Sequence, residues 1–174
     1  MNHQAPNPSQ PNKYAFSDFY PLITIFLLIF SFTIARRIYA GYWCTFSAMS
    51  DFMGSFFIVF GTFKIMNLQG FAHAYAMYDI IAKEVRWYGY IYPFIEIALG
   101  ISYFMRWKPF ATNLITLVLM SVGSIGVAIQ LAKKQTVVCA CLGAVFKIPM
   151  TYVTLLEDLL MAVMAAIMLF MPVP

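Results

Sequence analysis

ATNLITLVLMSVGSIGVAIQLA, residues 111–132, decides the fold class. The run carries no ionisable side chain and is long enough to cross the hydrocarbon core of a bilayer, which takes about 20 apolar residues. Inside lipid every backbone amide and carbonyl must find its partner within the segment, so such a run folds as an α-helix. No stretch of the sequence alternates in the manner of a membrane barrel strand. Working outward, similar runs predict further helices near 19–35, 49–68, 88–106 and 152–171. The expected fold class is therefore an all-α integral membrane protein that crosses the bilayer five times.

Composition agrees. Of 174 residues, 62% are hydrophobic and 10% charged, against roughly half and about a quarter in a soluble domain. The formal charge of +4 comes from Lys and Arg residues that mostly flank the apolar runs, where they anchor helices to headgroups. No basic stripe points to nucleic acid; the expected surroundings are the lipid bilayer. Residues 1–18, rich in Pro, Asn and Gln, read as a disordered polar tail without the cationic cluster of a secretory signal. The first hydrophobic run ends in Arg36-Arg37 with no small-residue cleavage site, so it is expected to remain as a helix.

Between the second and third predicted helices, GFAHAYAMYDIIAKEV (70–85) places Phe71, Tyr75, Tyr78, Ala82 and Val85 on one helical face. This predicts an interfacial helix whose aromatic side meets lipid or protein. In the fourth helix Ser121, Gly123, Ser124 and Gly126 allow a neighbouring backbone to come close. Pro93 removes a backbone donor from the third helix and is expected to bend it.

Five crossings put the 2–3 and 4–5 connections on one side of the membrane. His73, Asp79, Cys139, Cys141 and Lys147 then share one surface, and Arg36, Arg37, Cys44, Arg106 and Lys108 share the other. Cys44 is about a bilayer thickness, roughly 30 Å, from the cysteine pair and cannot bridge to it.

Ionisable residues inside spanning helices are costly and usually face the bundle interior. Lys64, Glu96, Glu157 and Asp158 all fall within about two turns of the cysteine-loop side, at 3.6 residues per turn. Asp51 lies at the opposite end of its helix, within reach of Arg36, Arg37, Arg106 or Lys108. The polar membrane cluster reads either as an ion-pair lock between helices or as a proton or metal path. Adjacent Glu157 and Asp158 point about 100° apart, so at most one readily faces Lys64. Three carboxylates against one lysine leave negative charge unbalanced unless a carboxyl is protonated or a cation binds.

The loop KKQTVVCACLGAVFKIPMT (133–151) is the clearest local signal. In extended backbone, cysteines at i and i+2 point the same way, which suits either a strained, reducible disulfide or two thiolates on a soft metal ion. Lys133, Lys134 and Lys147 favour thiolate over thiol. Two semi-buried, inert cysteines are the plain alternative. With no second Cys pair and no His-x-x-x-His, a closed four-ligand zinc site is not expected from this chain. His73 reads as a surface residue, Cys44 as an inert interfacial one, and the twelve methionines as core filler. No Ser-His-Asp triad, phosphate-cradling glycine loop or dinucleotide fingerprint is present.

GTFKIMNLQGFAHAYAMYD (61–79), YPFIEIALGI (92–101), CACLG (139–143) and the ending IPMTYVTLLEDLLM (148–161) together resemble the MauE/DoxX group of redox-associated membrane proteins, from Met49 onward. The resemblance places Lys64, Phe71, Tyr75, Pro93, Glu96, Gly100, Cys139, Cys141, Gly143 and Pro149 at the family's recurring positions. It implies a DoxX-like four-helix transmembrane bundle over 49–174, preceded by one extra N-terminal transmembrane helix and connector over 19–48. It also implies a bacterial inner membrane location and a role in thiol–disulfide redox chemistry or maturation of a partner protein. A methylamine utilisation role of the MauE kind is included. Cys139 and Cys141 are then a redox pair, an electron relay and not a stand-alone catalyst, working with a separate thioredoxin-like or heavy-metal-associated protein. No resident cofactor is expected; the alternatives are handling of a soft metal ion held by Cys139 and Cys141, and a purely structural membrane subunit. The redox role favours a periplasmic cysteine loop. Charge counting favours the reverse, since Lys13, Lys83, Arg86, Lys133, Lys134 and Lys147 outnumber Arg36, Arg37, Arg106 and Lys108.

Overall fold

A computed structural model describes residues 20–77, 79–132 and 151–172; the 1–18 tail and the Cys139/Cys141 loop lie outside the described residues. All regular structure within them is helical: α1 (Tyr20–Ala40), α2 (Thr45–Met66), α3 (Leu68–Tyr75), α4 (Ile80–Glu84), α5 (Arg86–Met105), α6 (Pro109–Ala132) and α7 (Thr151–Phe170). By length and composition α1, α2 and the 109–129 part of α6 can cross a membrane. α5 and α7 are each 20 residues long, enough for about 30 Å of helix, but carry Glu96 and several tyrosines, or Glu157 and Asp158. Large apolar side chains such as Leu28, Phe94, Ile115, Val118, Ile125 and Ile167 face outward. A belt of this kind suits contact with lipid tails and not with water. The protein is an all-α membrane protein.

Element boundaries moved where polar residues found partners. The first helix, expected to end at 35, runs on to Ala40 because Arg37 is buried against Asp51 in its last turns. α2 starts at Thr45, after the extended Cys44. α6 opens on Pro109, whose fixed φ suits a first helical position. α5 ends on Arg106 in the left-handed region at φ 52°. Pro93 leaves α5 assigned as one helix from Arg86 to Met105.

The single interfacial helix expected over 70–85 is two short helices. Asp79 divides them, its Oδ1 accepting from the backbone N–H groups of Ile81 and Ala82 at 2.9 and 2.8 Å and so capping α4. Asp79 was expected on the surface, yet it is 1% exposed. Of the predicted aromatic face, Phe71, Tyr75 and Ala82 are buried against protein, whereas Val85 is exposed and Tyr78 lies outside the described residues.

The long helices alternate in direction. Arg36 and Arg37 near the end of α1 pair with Asp51 near the start of α2. Ser50 there donates to the carbonyl of Tyr103 near the end of α5 at 3.0 Å. The Tyr103 hydroxyl hydrogen-bonds Asn113 Oδ1 at 2.8 Å and Thr116 Oγ1 at 3.1 Å on the first turns of α6. Met168 of α7 shares a small crevice with Phe46, Ser50, Tyr103 and Asn113, and Asp158 lies against Gly123 in the middle of α6. Two ends result. One, the Asp51 end, holds the α1–α2 and α5–α6 turns; the other, the α3–α4 end, holds the end of α2, the start of α5, the end of α6 and the start of α7.

α2 is the spine, with 61% of its spanning window buried against 22% for peripheral α1. It crosses α5 through glycines, of which the family resemblance had marked Gly100 but not Gly54 or Gly61. A Cβ on Gly100 would sit 2.7 Å from Ile58 Cγ1 and 3.0 Å from the carbonyl oxygen of Gly54. A Cβ on Gly54 would in turn meet the Gly100 carbonyl at 3.1 Å, and one on Gly61 the Pro93 carbonyl at 3.2 Å. Small residues let two backbones approach where lipid gives no hydrophobic drive to helix association. Gly123, part of the small-residue stripe in α6, provides the equivalent space for the Asp158 carboxylate.

Gly100→Ala is therefore expected to destabilise the bundle by about 1–3 kcal/mol, the usual cost of overpacking. Reversible unfolding in detergent micelles measures it, and an unchanged midpoint contradicts the close crossing.

Candidate functional site

Lys64 lies in the last turn of α2, at a depth where a lone ammonium is strongly disfavoured. Its Nζ forms a salt bridge with Glu96 Oε1 on α5, and both side chains are buried. The ammonium also sits over two aromatic faces, 5.5 Å from the ring centre of Phe71 and 5.0 Å from that of Tyr92. Desolvation strengthens both kinds of contact, the ion pair and the cation–π attraction. The pair thus compensates two charges that neither helix alone could carry through lipid.

Over the pair lies a cluster of aromatic rings supplied by α3 and α5. Phe71 stacks on Tyr75 with ring centres 5.0 Å apart, and Tyr75 packs on Tyr92 at 4.6 Å. Tyr88 extends the cluster, 5.9 Å from Tyr92 and 6.1 Å from Tyr75. The chain turns at Asn67, whose side chain accepts from the Gly70 N–H at 3.1 Å and starts α3 over the end of α2. α3 then lies across the start of α5, close enough that a Cβ on Gly89 would stand 3.3 Å from the Ala72 backbone. The amphipathic segment is a protein-facing roof over Lys64 and Glu96.

The remaining acidic residues divide as their helical spacing requires. Glu157 is buried in the bundle, while Asp158, half-buried, turns toward α6 at Gly123. Among the described residues, no three His, Cys, Asp or Glu side chains gather into a metal-binding group. Cys139 and Cys141 are outside the described residues. His73 is exposed on α3, as a surface residue should be.

At the opposite end, Asp51 takes a guanidinium on each carboxylate oxygen. Arg36 Nη1 stands 2.8 Å from Oδ1, and Arg37 Nη2 pairs with Oδ2. Cys44, beside this group, is only partly buried; the Ser47 backbone N–H at the start of α2 lowers its thiol pKa below the ordinary value. A helix N-terminus favours thiolate, in line with that direction. Sequence reasoning missed the aromatic roof and the buried cap of Asp79. The signal for the roof was present, because the face of Phe71 and Tyr75 repeats at the spacing that covers Lys64 one helix earlier.

Removing one member of the Lys64–Glu96 pair strands the other in an apolar interior. Lys64→Met is expected to lose about 3–5 kcal/mol of stability, with most of it restored in Lys64→Met/Glu96→Leu. A double-mutant cycle in micelles reads the coupling; additive losses would deny the pair its locking role.

Residues 42–171 match the family model described as Methylamine utilisation protein MauE. No curated protein and no solved structure matches the chain. The matched stretch runs from the turn before α2 to just past the end of α7, taking in the ion pair, its roof and the Cys-x-Cys segment, and leaving α1 outside. With well over half of its length so matched, the chain belongs to the MauE family of membrane proteins.

Proposed function

We propose that this MauE-family protein crosses the bacterial inner membrane five times and supports thiol–disulfide chemistry, or the maturation of a partner protein, through Cys139 and Cys141. The observation that carries the reading is that CACLG, residues 139–143, falls inside the family-matched stretch 42–171. Family membership supports a MauE-like role; the redox assignment rests on the chemistry of the two cysteines. Oxidation of the two thiols to a disulfide releases two electrons and two protons, and the disulfide of a soluble thioredoxin-like partner takes them up as it becomes two thiols. Exchange needs an accessible thiolate, and the loop lysines Lys133, Lys134 and Lys147 favour that form.

The alternating helices support a placement for the loop. α6 finishes and α7 begins at the α3–α4 end, the end that also holds the roof over Lys64 and Glu96. In this reading the loop faces the periplasm and the acidic residues Glu96, Glu157 and Asp158 assist proton movement below it. A soft metal ion is the alternative occupant of the same two sulfurs, since thiolates select Cu(I) or Zn over hard cations.

The test uses a Cys44→Ser background, because the free thiol of Cys44 at the far end would otherwise label. Alkylation of intact membranes is expected to modify Cys139 and Cys141 only after reduction. Equal labelling under oxidising and reducing conditions rules out the redox cycle. Bound metal in the purified protein that is lost in Cys139→Ser/Cys141→Ser assigns the pair to metal handling instead.

A further inference from the structure

Three guanidinium groups converge at the Asp51 end: Arg36 and Arg37 from α1, and Arg106 from the left-handed turn after α5. They line an open pocket of about 500 Å³ together with Tyr39, Tyr42 and Phe104. Asp51 is the one carboxylate they meet among the described residues, which leaves two positive charges in excess. Arg37 is 3% exposed, and after Nη2 has paired with Asp51, its Nε and Nη1 have no hydrogen-bond acceptor. A buried, charged donor left without an acceptor is costly, and it marks a place where an anion fits. Tyr42 gives a second sign of the field: the guanidinium of Arg106, with help from Arg37, lowers its phenol pKa below the ordinary value.

The pocket continues into the lipid-facing side of the bundle. Phe32 and Phe104, which form part of its wall, also line an apolar groove of about 440 Å³ running down between α1 and α2 past Leu28, Ser55, Ile58 and Phe63. Arg36 lies over the Phe104 ring at 5.3 Å, at the point where the two cavities meet. The sequence thus puts a charged recess directly above an oily channel at the level where helices leave the bilayer.

We infer that this recess binds the phosphate headgroup of an anionic phospholipid, with an acyl chain along the α1–α2 groove. Arginine suits the role, because its planar fork of donors matches phosphate oxygens in pairs. The partly exposed Arg36 and Arg106 face the headgroup from the pocket wall, Arg37 lies buried behind them and adds its charge, and the Tyr42 hydroxyl adds a polar contact. Such a lipid fills the gap beside α1, the helix least supported by protein contacts and the one outside the family-matched stretch. It acts as a wedge that holds α1 against α2 while neutralising the surplus charge.

The test is native mass spectrometry of the full-length protein titrated with phosphatidylglycerol, phosphatidylcholine or inorganic phosphate. Phosphatidylglycerol is expected to bind about fivefold or more tightly than phosphatidylcholine, the scale of one arginine acting on an anionic lipid. Arg106→Gln should weaken phosphatidylglycerol binding by about fivefold. Lys108→Gln removes the same charge from a neighbour that does not line the pocket, and should leave binding nearly unchanged. Should Arg106→Gln not fold, Arg36→Gln serves, since Arg37 still neutralises Asp51. Equal affinities for the two lipids, or equal losses in Arg106→Gln and Lys108→Gln, overturn the site. Inorganic phosphate binding as tightly as phosphatidylglycerol overturns the lipid as its occupant.

Discussion

A lysine and a glutamate facing each other inside an apolar bundle constrain everything around them. Lys64 and Glu96 are each too polar to meet lipid, and their mutual attraction offsets their desolvation only at contact distance. Contact requires α2 and α5 to lie closer than two helices with ordinary side chains allow. Gly54, Gly61 and Gly100 provide that approach, with backbone carbonyls standing 3.0 to 3.2 Å from where Cβ atoms would be. The ion pair and the glycine crossing are therefore one device: the glycines set the distance, and the charges fix the register in which the glycines meet.

The same pair explains the irregular segment between α2 and α5. An ammonium one turn from the helix end would be open to headgroups and water without a cover. Phe71 and Tyr75 on α3, with Tyr88 and Tyr92 on α5, supply one whose π-faces attract the cation while excluding solvent. To lay α3 over the pair and still return into α5, the chain must break, and Asp79 makes the break by capping α4 from a buried position. A continuous amphipathic helix on the membrane surface could not cover the site in this way.

Fold class was legible because each long apolar run has only one way to satisfy its backbone in lipid. All five long helices were found near their places. Boundaries were less legible at Arg36-Arg37, where charge ordinarily marks a helix leaving the bilayer. Here Asp51 pairs with both arginines, and α1 continues past them. Within the candidate site, Lys64 and Glu96 were recognisable as costly intramembrane charges, but their pairing over Glu157 and Asp158 depended on which helices touch. Spacing on one helix cannot supply that information. The buried position of Asp79 was hidden because its sequence neighbours read as interfacial. Most of the described residues that carried the family resemblance, Lys64, Phe71, Pro93, Glu96 and Gly100, meet at the α2–α5 crossing or its roof. What was read as a string of separate positions is a single contact surface.

The two ends of the bundle solve the problem of charge in opposite ways. At the α3–α4 end the ammonium is matched by a carboxylate and closed over by rings, so the surroundings of Lys64 and Glu96 are fixed by protein atoms. At the Asp51 end three arginines exceed their one carboxylate and two of them, Arg36 and Arg106, stay partly exposed, so full neutralisation depends on what lies outside the chain. A closed, balanced site can hold its geometry whatever the lipid around it. An open, unbalanced one responds to its surroundings and couples α1 to the bilayer. The division matches the family boundary: the matched stretch begins at residue 42, and α1 joins it through the charges at this open end and through the packing of Phe26 on Phe56 and Phe60.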